Sequence, residues 1–87
     1  MNTIFLLLAE YETSSIDLNI IAKKYFGLTE RDKISRMARH SEFPFPVFRA
    51  GTQRSAWHVS VQDLAEWLDK QRAKAKEDFE VYHRAAS

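Results

Sequence analysis

Apolar residues recur along the chain at helical spacing, in stretches separated by short breaks that such spacing does not cross. From Thr3 to Tyr11, the residues Ile4, Leu7, Leu8 and Tyr11 follow i, i+3, i+4, i+7. This predicts a short helix with Thr3 as its N-cap, and a buried strand is the rival reading of so brief a run. Leu18, Ile21, Ala22 and Tyr25 repeat the spacing, so a second helix is expected from Leu18 to Phe26, capped by Asp17 and ended by Gly27. Thr29 followed by Asp32 reads as a capping-box variant that opens a third helix, Glu30 to His40, with Ile34, Met37 and Ala38 on one face. Two short helices joined by a Gly-containing turn describe a helix-turn-helix.

Phe43-Pro44-Phe45-Pro46 cannot continue a helix, because each Pro lacks an amide hydrogen and biases its predecessor toward extended geometry. The segment suits a wedge at the end of the third helix, and an extended groove-binding ligand is the other reading. Val47 to Arg49 and Ala56 to Val59 are β-prone runs around Gly51-Thr52-Gln53-Arg54-Ser55, which predicts a two-stranded hairpin, or wing. Ser60 with Asp63 then starts a helix free of Pro and Gly through about residues 61–84. Val61, Leu64, Ala65, Leu68, Ala75, Phe79 and Tyr82 form its apolar stripe, which Gln71 and Arg72 interrupt. The expected fold is therefore mainly α with a small β-hairpin, a winged helix-turn-helix with a long C-terminal helix. With 87 residues there is room for one core, so residues 1–87 are expected to form a single domain.

Composition narrows the setting. A chain that is 45% hydrophobic and 13% aromatic can offset the entropy of ordering, so it should fold. It contains no Cys, which removes disulfides, thiolate nucleophiles and thiolate metal sites, and favours the reducing cytoplasm. The run Ile4 to Ala9 has no basic region before it and is too short to span a bilayer, so neither a signal peptide nor a membrane segment is expected. The net charge of +1 is unevenly spread. Residues 1–16 carry −2 and residues 59–87 carry −1. Between them, Lys23, Lys24, Arg31, Lys33, Arg36, Arg39, Arg49 and Arg54 stand against Asp17, Glu30, Asp32 and Glu42, leaving +4 where a polyanion would be met.

The third helix divides in the way a recognition helix requires. Its apolar face can lock onto a scaffold while Arg36 and Arg39 point away, with Lys33, Ser35 and His40 on the flanks. Arginine reaches guanine O6 and N7 or phosphates, and Ser bonds to either. A solvated amphipathic helix is the plain alternative. At the hairpin tip Thr52, Gln53 and Arg54 could enter a minor groove or track phosphates, with Arg49 helping from the first strand; a solvated turn is the alternative for Arg54. Trp57 and Trp67 are expected in core or edge packing rather than as base-stacking platforms. His40, His58 and His83 fall on three elements, so no metal site is expected, and no cofactor either. No glycine-rich phosphate loop occurs, and the carboxylates Asp63, Glu66, Asp69 and Glu77 are mixed with Lys and Arg as on a solvated helix face, so catalysis is not expected.

The blocks Phe43-Pro44-Phe45-Pro46-Val47, Arg54, Trp57 and Asp63-Leu64-Ala65-Glu66-Trp67-Leu68 resemble the wing-and-helix half of the excisionase and prophage-regulator superfamily, relatives of the mercury-resistance regulator fold. The opening Met1-Asn2-Thr3-Ile4-Phe5-Leu6-Leu7-Leu8-Ala9-Glu10-Tyr11, together with Asp63-Leu64-Ala65 and Gln71-Arg72-Ala73, is closer still to the pyocin activator family. The resemblance implies a bacterial or phage-borne transcription activator whose relatives switch on bacteriocin or phage-tail-like genes by binding DNA upstream of promoters. Carried over by position, it implies DNA contacts from Thr29, Arg31 and the rest of the helix to His40, and from the Arg54 wing. The expectation is thus a cytoplasmic, sequence-specific binder of double-stranded DNA, homodimeric through Leu68, Ala75, Phe79 and Tyr82, with RNA polymerase or an integrase as a further partner. A recombination directionality factor is the alternative within DNA binding, and a protein interaction module that docks through the long helix is the alternative outside it.

Overall fold

The computed structural model describes residues 2–52 and 54–86. In chain order the elements are α1 (Thr3–Tyr11), β1 (Ser15–Asp17), α2 (Leu18–Phe26), α3 (Arg31–Arg39), β2 (Phe48–Arg49), β3 (Trp57–Ser60) and α4 (Val61–Ala86). This is the winged helix-turn-helix arrangement that the apolar spacing implied, with local differences that have physical causes.

α1 is a helix and not a strand, and its N-cap is Asn2 rather than Thr3. Asparagine is among the strongest N-caps, and its Oδ1 accepts the Ile4 amide hydrogen at 2.8 Å. Thr3 is freed to tie α1 to α4, its Oγ1 donating to Asp69 Oδ1 at 2.6 Å. Toward its other end α1 is tied to α2, where Lys24 donates to Glu10 at 2.7 Å and to the Tyr11 hydroxyl at 3.1 Å. α2 begins and ends as expected. Asp17 Oδ1 accepts the Asn19 amide at 2.9 Å, and Gly27 turns out of the helix at φ 66°, a left-handed conformation in which Leu28 N–H reaches the Ala22 carbonyl. The Thr29/Asp32 capping box does not form. Glu30 occupies the N-cap without a side-chain bond, and α3 starts at Arg31.

The sheet holds one strand more than the hairpin. β1 pairs antiparallel with β3 on the edge away from β2, giving the order β1-β3-β2 and placing Ile16 opposite Val59. Within the hairpin Phe48 faces His58 and Arg49 faces Trp57. Ser60 then caps α4 by accepting the Gln62 amide at 3.2 Å.

The core gathers Leu7, Ile16, Leu18, Ile21, Ala22, Ile34, Ala38, Val59, Val61, Leu64 and Ala65 from this sheet and the four helices. Phe43 and Phe45 complete it. The Phe-Pro-Phe-Pro segment is the expected wedge, since its two rings are buried and meet Phe26 and each other, while Phe45 and Phe26 also meet Trp67. Trp67 is thereby a packing residue.

α4 outruns this body. At about 1.5 Å per residue its 26 residues span about 39 Å, and from residue 69 on every side chain described is exposed. The radius of gyration is accordingly 15.5 Å, against about 12 Å for a compact chain of this length. Among the described residues no helix is long and apolar enough to cross a membrane.

Candidate nucleic-acid interface

α3 is held by its inner face. Ile34 is 2% and Ala38 3% exposed, and Met37 packs against the same core. With about 100° between successive residues, Asp32, Arg36 and Arg39 lie opposite that face, Arg31 and Ser35 on one flank, Lys33 and His40 on the other. All of these except the half-buried Ser35 are exposed. Thr29 is exposed in the turn that leads into the helix. Glu30 and Glu42, both exposed, bracket the helix with negative charge.

The wing stands beside the Arg31 and Ser35 flank. Between them lies an open cleft of about 310 Å³, lined by Asn19, Arg31, Asp32, Ile34, Ser35, Arg49, Arg54, Ser55, Ala56 and Trp57. Trp57 Nε1 donates to Ser35 Oγ at 3.3 Å, bridging hairpin and helix. The Arg49 guanidinium lies over the Trp57 ring, 4.3 Å from its centroid, in cation-π geometry. At the tip Thr52 and Ser55 close a turn, with the Ser55 amide on the Thr52 carbonyl at 3.0 Å and the Thr52 amide on Ser55 Oγ at 3.2 Å. Arg54 donates its amide to Thr52 Oγ1 at 3.3 Å and is exposed; Gln53 lies outside the described residues.

The structure thus brings Arg31, Ser35, Arg49 and Arg54 together around one cleft, and leaves Arg36 and Arg39 on the open face of α3. Lys33 and His40 are on its far flank. Two features were beyond the reach of the sequence. Asn19 joins the cleft from α2, and Ser35 is engaged by Trp57; both depend on how the hairpin docks on the helices, which local spacing does not encode. Leu68 is partly buried against the core of its own chain, whereas Phe79 and Tyr82 are 64% and 78% exposed.

A family model described as "Pyocin activator protein PrtN" matches residues 3–75. The chain belongs to the PrtN family. The family match takes in every element of the body, from α1 through β3, and the first part of α4; it stops short of Phe79 and Tyr82. Neither a curated protein nor a solved structure matches the chain. The PrtN description is that of an activator of pyocins and says nothing of which side chains act, so their assignment rests on the geometry above.

Proposed function

We propose that this PrtN-family chain is a sequence-specific regulator of transcription that binds double-stranded DNA and activates bacteriocin or prophage genes in the bacterial cytoplasm. The observation that carries the reading is the two-sidedness of α3, which buries Ile34 and Ala38 while exposing Arg36 and Arg39 next to a cationic hairpin. A B-DNA major groove about 12 Å wide admits one α-helix. Seated there, Arg36 and Arg39 reach base edges, guanine O6 and N7 being the best match to a guanidinium fork. Lys33 and His40 contact phosphates on the far flank, Thr29 contacts one from the turn into α3, and Arg54 tracks the adjacent minor groove or backbone. The chain works by binding rather than catalysis.

A second copy of the chain completes the regulator. Leu68, Ala75, Phe79 and Tyr82 succeed one another at steps of seven, four and three residues, the spacing of a coiled-coil seam. Their own chain leaves Phe79 and Tyr82 largely in water. Pairing buries them and presents two α3 helices to half-sites about 34 Å apart.

Selection of genomic fragments bound by the protein, followed by gel shifts at two salt concentrations, tests the reading. Fragments upstream of promoters, shifted in preference to mixed-sequence DNA at both salts, are the expected result. Enrichment of attachment sites instead would favour a recombination directionality factor. Binding without sequence preference would overturn the regulator.

A further inference from the structure

We propose that the cleft between α3 and the hairpin is a clamp for a phosphodiester group of the duplex backbone, gripped by Arg31, Arg49 and Arg54 and held to width by the Trp57 to Ser35 hydrogen bond. This rests on the DNA-binding reading and divides its labour. The wing-side flank of α3 grips the backbone, and base reading is left to the outward face.

Three arginines line the cleft from three separate places, Arg31 from the first turn of α3, Arg49 from the strand β2 and Arg54 from the hairpin tip. Among the described lining residues only Asp32 opposes them, so the cleft has a formal charge of +2. A cleft of that charge draws an anion, and guanidinium forks match phosphate oxygens in pairs. Arg49 is stacked on Trp57, which orients its plane and covers one face of the indole. The indole N–H is fixed by Ser35 on the opposite wall. Ser35 is on this account a positioning residue that sets the spacing of the jaws, and not a reader of bases.

Backbone contacts are blind to sequence, so a mixed-sequence duplex serves as the probe. The dependence of log affinity on log salt counts the phosphates neutralised. The double variant Arg31→Gln/Arg54→Gln should flatten that slope by about 2, while Lys70→Gln/Lys74→Gln on α4, away from the cleft, leaves it unchanged. Ser35→Ala should also flatten the slope at an unchanged unfolding midpoint, and Ser35→Thr, which keeps the hydroxyl, should restore it. In Trp67→Phe, Trp57 is the sole remaining tryptophan, and its emission should shift on duplex binding. If the wild-type chain binds the duplex but the arginine pair keeps the full slope, the clamp is overturned and the regulator stands. An unchanged slope in Ser35→Ala overturns the positioning role. Saturation of the Trp57 change by inorganic phosphate alone would assign the cleft to a free anion and overturn the backbone assignment. If no duplex binds, clamp and DNA-binding reading fall together.

Discussion

Lys24 shows how a single charge is shared between two helices. Its ammonium donates to Glu10, then to Tyr11, and these bonds raise its pKa above the ordinary lysine value. A raised lysine pKa means that the folded state holds the proton more tightly. The contribution is therefore complete below the unfolded value of about 10.4 and is lost only as pH climbs through the elevated one. Both side chains of the pair are close to half exposed, so solvent screening limits the effect. Glu10→Gln should lower stability by no more than about 1 kcal/mol, and urea titrations should give the same loss anywhere from about pH 6 to 9. Gly27 makes a sharper case. Its φ of 66° is left-handed, yet a Cβ there would meet nothing within 4 Å. Gly27→Ala should cost about 1 to 2 kcal/mol of backbone strain, without the larger loss that a clash would add.

At the scale of elements, the decisive joint is between α3 and the core. Ile34→Ala empties a fully packed site and should cost about 2 to 5 kcal/mol in chemical denaturation. Arg36→Ala on the exposed face should change stability by less than about 0.5 kcal/mol. That contrast separates the helix's two faces before any DNA is added. Helices were legible in the sequence because Leu18, Ile21 and Ala22, or Ile34 and Ala38, recur once per turn, and only a helix buries such residues together. The hairpin was legible from the β-prone runs Val47 to Arg49 and Ala56 to Val59 on either side of Gly51, and the end of α3 from Pro44 and Pro46. β1 was not, since three residues carry no period and the strand exists because Ile16 finds Val59. The cap of α3 was misread for a related reason. Thr29 and Asp32 have the spacing of a local bond, but the turn after Gly27 delivers Glu30 to the cap position instead. The exposed arginines of the candidate interface could be named from spacing, whereas their gathering around Trp57 could not, because it results from the hairpin's docking.

The whole molecule measures 55 × 27 × 18 Å, and about half of its length comes from α4 reaching past the body. An isolated helix end with Phe79, Val81 and Tyr82 in water is poorly stabilised by its own chain. Phe79→Ser/Tyr82→Ser should convert a dimer to a monomer in sedimentation equilibrium while leaving the unfolding of the body nearly unchanged, because neither side chain belongs to the core cluster. A wild-type chain that sediments as a monomer at micromolar concentration would contradict the pairing. At the centre of the proposed function stands base reading by the outward arginines of α3. Its most direct measurement is the ratio of affinities for a selected genomic fragment and a mixed-sequence duplex at one salt concentration, compared between wild type and Arg36→Ala/Arg39→Ala. Each lost base contact should lower the free energy of preference that this ratio expresses by about 1 to 3 kcal/mol, so the double variant should lose most of its preference. A ratio equal to that of the wild type would contradict base reading by α3.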